Sequence, residues 1–246
     1  MDFQRKVILV TGGARRVGAE ISRTLAGAGA HVVIHYNSSA EEAESLEHEL
    51  LGQDYSVELT SCDLTNLAQM EEMSAVLISK HGRIDALVGS AAVYYRTPFL
   101  EVTEEQWNQI QSTNLKSYFF LCQEIGRQML DQKQGKIILI TDVSAELAWP
   151  NFLPYTISKA GINHLVRGLA KALAPHVQVN GIALGTVLPS EQATPKDVEF
   201  YRNRALLKKI GTPENVARTV EFLLTQSDFM TGAIIPIDGG YRLAEG

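Results

Sequence analysis

Tyr155-Thr156-Ile157-Ser158-Lys159 is the segment of the chain whose spacing is best suited to chemistry. On a helix, residues i and i+4 share one face, so the phenol and the ammonium lie side by side. A free phenol titrates near ~10 and is a poor acid-base group at neutral pH. A neighbouring ammonium favours the phenolate and is expected to lower that value. The pair then suits proton transfer to or from a reacting group. Taken alone the pattern recurs on many surface helices, so its weight depends on what else the chain carries.

A second motif lies near the amino end. Thr11-Gly12-Gly13-Ala14-Arg15-Arg16-Val17-Gly18 follows an apolar run and opens a helical pattern. Glycines in that position let the backbone approach a pyrophosphate, and the helix amino end supplies N–H groups and a positive dipole. Gly12 and Gly18 fit the dinucleotide spacing, while Arg16 stands at its middle glycine. The next strand candidate ends His35-Tyr36-Asn37-Ser38-Ser39, with no acid before Glu41. A carboxylate there grips the ribose 2′-OH of NAD; its absence, with Arg15 and Arg16 nearby, points to the 2′-phosphate of NADPH. The plain alternative is that both arginines are solvated surface charges. Asp63 either accepts from an adenine amine or caps the helix that follows.

Alternating elements must position these motifs. Strand candidates are Lys6–Val10, His31–Tyr36, Ser56–Thr60, Ile84–Val88, Lys136–Thr141, Gln178–Ala183 and Ala233–Ile237. Most are continuous apolar runs, as in strands buried on both faces of a parallel sheet. Between them, Val17, Ile21 and Leu25 recur at helical spacing and stop at Gly27 and Gly29. Helical patterns also cover Ala40–Leu51, Leu67–Lys80, Thr103–Leu130, Tyr155–Ala174 and Pro213–Thr225. Strict alternation predicts a single α/β domain over residues 1–246, one doubly wound parallel sheet with helices on both faces. The polar stretch 185–204 lacks a clean period and reads as a substrate lid.

Thr11–Gly18, Asn114 in Ser112-Thr113-Asn114-Leu115, Tyr155 with Lys159, and Ile237-Asp238-Gly239-Gly240 together resemble the short-chain dehydrogenase/reductase family. The resemblance spans nearly the whole chain. It implies a seven-stranded Rossmann sheet, NADPH/NADP+ as cofactor and a homotetramer. It implies that Tyr155 is the acid, that Lys159 binds the nicotinamide ribose, and that Asn114 holds a water feeding the proton relay. It places Gly12, Arg15, Arg16, Val17, Gly18, His35, Asn37, Ser38, Ser39, Asp63, Leu64, Ser90, Ala91, Tyr155, Lys159, Gly185, Thr186 and Val187 at the dinucleotide.

Four positions depart from that family's pattern. Its catalytic Ser is Asp142 here, its Asn-Asn-Ala-Gly reads Gly89-Ser90-Ala91-Ala92, its Pro-Gly reads Leu184-Gly185, and Arg16 replaces a glycine. Arg16, His35-Tyr36 and Asp142 are similar to the pteridine reductases, as is Tyr94, where that subfamily stacks a pterin against nicotinamide. This implies a pteridine or folate substrate touching Arg16, Ala92, Tyr94, Asp142 and Tyr155. Trp149, in the loop between Asp142 and Tyr155, is a candidate pocket wall. A carbonyl reductase, such as a 3-oxoacyl carrier-protein reductase, is the competing enzyme reading; a dinucleotide-sensing scaffold is the non-enzyme one.

Composition narrows the partners. Of 246 residues, 45% are hydrophobic and 20% charged, and the net charge is −6, which argues against nucleic acid. No apolar run approaches the ~18 residues of a spanning helix, and no signal peptide is expected. Cys62 and Cys122 cannot form a disulfide framework, so a reducing cytoplasm is the expected compartment. No helical pattern carries two histidines four apart, and no metal site is expected.

Overall fold

The computed structural model describes residues 1–189 and 193–244. Seven parallel strands form one sheet in the order β3-β2-β1-β4-β5-β6-β7. They are β1 (Val7–Thr11), β2 (His31–Tyr36), β3 (Val57–Ser61), β4 (Ala86–Gly89), β5 (Gly135–Asp142), β6 (Val177–Leu184) and β7 (Ile234–Ile237). The order reverses between β1 and β4, and a crevice opens there at the carboxyl ends of the strands.

Side-chain alternation along each strand feeds two cores. Ile8 and Val10 of β1 pack with Ile21 and Leu25 of α1 (Arg16–Gly27) and with α2 (Ala40–Leu51). Leu9 points the other way, onto α3 (Leu67–His81) and other helices of that face. The helix ends follow local chemistry. The Asn66 side chain accepts from the Gln69 N–H to start α3, and Gly82 ends it in the left-handed region at φ 71°.

Two expected elements differ. The helix anticipated over Thr103–Leu130 is three pieces: α4 (Glu104–Gln111), a π turn at Ser112–Lys116, and α5 (Ser117–Asp131). The extra residue in that turn brings Asn114 inward, where its side chain bonds both backbone groups of Val93. The stretch 185–204 is not wholly irregular. It contains α8 (Pro195–Arg204), started by a capping box between Thr194 and Asp197; residues 190–192 of the anticipated lid lie outside the described residues.

After β5 come a short α6 (Ser144–Leu147) and α7 (Leu153–Ala172), which starts two residues before Tyr155. The chain finishes with α9 (Pro213–Thr225), β7 and α10 (Tyr241–Ala244). None of the described helices is long and apolar enough to cross a membrane.

Candidate active site

A cleft of about 1040 Å³ runs across the carboxyl ends of the strands. One end is walled by Gly12, Arg15, Arg16, Val17, Gly18, Asn37, Ser38, Ser39, Asp63 and Leu64, the middle by Ser90, Ala91 and Ala92, and the far end by Asp142, Tyr155 and Lys159.

The glycine turn is built for close approach. Gly12 has φ +61°, and a Cβ there would sit 2.8 Å from Ala91 Cα; one on Gly18 would strike the Gly12 carbonyl. Arg16 takes the left-handed backbone of the missing glycine at φ 52°, a conformation that costs an L-residue about 1–2 kcal/mol. No side chain caps the amino end of α1, and its first turn holds no acid. Those N–H groups suit a pyrophosphate.

His35 serves this turn from below. It is buried, its Nδ1 accepts the Gly12 N–H at 3.4 Å, and its Nε2–H donates to the Cys62 carbonyl at 3.1 Å. Burial pushes its pKa down to about 4, so it is neutral and props the loop. His35 also lines the cleft, and it does so as a neutral ring. Arg16 Nη2 donates to the Leu188 and Pro189 carbonyls at 3.1 Å, joining the turn to the segment after β6. Arg15 lies 3.4 Å from Glu42. Asp63 accepts from the Thr65 N–H and hydroxyl, and Asn66 rather than Asp63 caps α3.

The Gly89 departure has a steric cause. A Cβ there would lie 2.6 Å from the Tyr118 ring and 2.7 Å from Leu139. Tyr118 is fully buried and its hydroxyl donates to the Ala91 carbonyl at 2.6 Å and contacts Thr11 Oγ1 at 3.1 Å, tying the ends of β1 and β4. Gly185, Thr186 and Val187 follow the cleft-wall residue Leu184 on the segment after β6. The Gly185 N–H extends the β6–β7 ladder to Ile237, Thr186 accepts from Gly211, and Val187 turns into the core; Leu184 is the wall residue of that segment.

At the far end, the Tyr155 hydroxyl donates to Asp142 Oδ2 at 3.0 Å, and Asp142 Oδ1 accepts the Ser144 N–H at 2.7 Å. Burial raises the Asp142 pKa from its ordinary value. Burial and then the Asp142 charge raise the Tyr155 pKa well above its ordinary value. The expected lowering by Lys159 is therefore corrected: Lys159 Nζ donates to the Ile140 carbonyl at 3.0 Å and lies 5.6 Å from the Tyr155 ring centroid. Burial brings Lys159 down to about 8. Asn114 does not line the cleft. Its amide also reaches Ser158 Oγ at 3.3 Å, and Ser158 donates to the Tyr155 carbonyl at 2.6 Å, so Asn114 steadies the first turns of α7.

Tyr94 is half exposed and stacks flat on Phe152 at 4.9 Å, with its edge contact to Tyr155 at 4.8 Å. Trp149 packs edge-on against Phe152 at 6.2 Å. Phe152, and the cleft residues Asn108, Gln109, Ser112 and Thr113, were not anticipated from sequence. The latter four reach the cleft through the π turn and the end of α4, which a helical period does not reveal.

The uncapped turn, the close approach at Gly12 and the length of the cleft fit a dinucleotide, so the fold and site define a Rossmann-type oxidoreductase. A family profile described as enoyl-(acyl carrier protein) reductase matches residues 12–242, and the chain belongs to the short-chain dehydrogenase/reductase family. It is 32% identical to the 3-oxoacyl-(acyl-carrier-protein) reductase of Thermotoga maritima, over 98% of this chain and 99% of the relative. It is 31% identical to the 5-keto-D-gluconate 5-reductase of Escherichia coli K12, over 97% and 96% of the two chains. A doubly substituted short-chain dehydrogenase/reductase from Serratia marcescens superposes with TM-score 0.91 at 29% identity, covering 98% of this chain and 100% of that one. None of these three is named for a pteridine.

Proposed function

We propose that the protein is an NADPH-dependent reductase of a flat C=N substrate of the dihydropteridine class. The observation that carries this reading is the Asp142 carboxyl bonded to the Tyr155 hydroxyl at 3.0 Å. An ionised carboxylate only accepts hydrogen bonds, which opposes a developing carbonyl oxyanion. A protonated one donates, and burial raises the Asp142 pKa toward that form. Asp142 and Tyr155 thus form a relay that delivers a proton toward a ring nitrogen. Tyr94, flat on Phe152, offers an aromatic face to a planar ring.

Gly12 and Gly18 hold the pyrophosphate, Arg15, Arg16, Ser38 and Ser39 the 2′-phosphate, Asp63 and Leu64 the adenine, and Ser90, Ala91 and Lys159 the nicotinamide ribose. A bound nicotinamide dinucleotide supplies the hydride equivalent. Lys159 offsets negative charge beside Tyr155 while Tyr155 gives up its proton.

The names of the relatives favour a second reading, reduction of a carbonyl. Steady-state NADPH oxidation tests both, with dihydrobiopterin, dihydrofolate, 5-keto-gluconate and an acetoacetyl thioester as substrates. Turnover of the first two supports the proposal; turnover confined to the carbonyl compounds overturns it. We further propose a cytoplasmic homotetramer, supported by the exposed Phe99, Leu100, Trp107 and Phe119. Light scattering reading the mass of a single chain at micromolar concentration would refute the assembly.

A further inference from the structure

The end of the sheet away from the cleft gathers three metal-ligand side chains that are far apart in sequence. His31 opens β2, Glu58 lies in the edge strand β3, and His81 is the last residue of α3. His81 Nε2 is 2.6 Å from Glu58 Oε1, and His31 Nε2 is 3.8 Å from the same oxygen. One ligand atom from each residue falls within 4.8 Å of the others. The absence of a metal site expected from sequence rested on spacing along helices, and tertiary folding assembles this trio instead.

We propose that His31, Glu58 and His81 bind one divalent transition-metal ion of the zinc class, clipping β2, β3 and the end of α3 together. The strongest support is His31. Its Nδ1 is 2.7 Å from the Ser56 hydroxyl, while its Nε2 is buried with no hydrogen-bond partner. A proton on Nδ1, donated to Ser56, leaves an Nε2 lone pair facing a carboxylate oxygen. Two acceptors facing one another call for a cation between them. An imidazole oriented through its other nitrogen by a hydroxyl is the usual outer partner of a metal-bound histidine. Lys80 holds Glu58 Oε2, so the carboxylate offers Oε1 alone.

Two imidazoles and one carboxylate with an open fourth position suit zinc. Zinc bonds of about 2.0–2.2 Å set tetrahedral donor atoms roughly 3.3–3.6 Å apart. Small side-chain rotations reach that spacing, with the His81 proton moving to Nδ1. The three side chains are 13–23% exposed, which leaves a path for the ion and for a water.

The test is calorimetric titration of untagged, EDTA-stripped protein with zinc chloride, with cobalt(II) absorption reporting geometry. The expected result is one equivalent bound, a raised Tm and a tetrahedral cobalt spectrum. His31→Gln and His81→Gln each abolish uptake, and Ser56→Ala weakens it by ~10–100-fold. Lys80→Ala tightens it, because a competing cation leaves Glu58. Circular dichroism and Tm in EDTA establish that each variant is folded. No uptake by the unaltered protein at micromolar zinc, the outcome if a proton alone occupies the gap, overturns the proposal. So does uptake that survives in both histidine variants.

Discussion

Acidification offers a direct test of how the glycine turn is held. His35 accepts the Gly12 N–H through Nδ1 and donates from Nε2 to Cys62, so both nitrogens are used by the neutral ring. Protonation turns the acceptor into a donor facing another donor. The native pKa is about 4 against 6.5 for the free side chain, a depressed value. Its contribution to stability is therefore fully present above pH 6.5 and is lost as pH falls toward 4. Linkage puts the loss at about 2 kcal/mol by pH 5 and about 3 kcal/mol at pH 4. His35 is buried, so solvent screening removes little of this. For a chain of this length, 2 kcal/mol corresponds to a fall in Tm of about 4–8 °C. The assay is urea or thermal unfolding at pH 7.5 and pH 5, for the unaltered protein and for His35→Gln. The variant starts less stable and loses about 2 kcal/mol less on acidification, because other titrating groups cancel in the difference. Parallel pH dependences in the two proteins would refute a neutral, loop-propping His35.

Three further outcomes are expected. Arg16→Ala removes charge-assisted hydrogen bonds worth about 1.5–3 kcal/mol, so fluorescence titration should show NADPH weakened far more than NADH; equal losses would leave Arg16 only its link to Leu188 and Pro189. Asp142→Asn should lower kcat on dihydropteridines with KM little changed. In the unaltered protein, rate should fall as pH rises through the raised Asp142 pKa, and a pH–rate profile flat in both proteins would contradict the relay. Gly89→Ala forces a methyl against the Tyr118 ring and should cost about 1–3 kcal/mol in urea melts; Tyr118→Leu in the same chain should recover part of it, and strict additivity would refute the steric account.

The sequence by itself determined the parallel sheet, the turn at Gly12–Gly18, and the pairing of Tyr155 with Lys159. These are local facts: apolar runs of strand length, glycines at a strand-to-helix junction, and two side chains on one helical face. It did not determine protonation. Tyr155 lies beside Lys159 in sequence, yet burial and Asp142 set its pKa, because desolvation depends on everything packed around a group. Nor did it determine the break in the helix at Asn114, whose bonds to Val93 across the fold outweigh a regular period. The same holds for His35, drawn under the loop by the β1–β2 pairing, and for Gly89, whose missing side chain makes sense only with Tyr118 against it. His31, Glu58 and His81 meet because β2 and β3 begin, and α3 ends, at the same corner of the sheet, a proximity that depends on long-range strand register and that no spacing along the chain encodes.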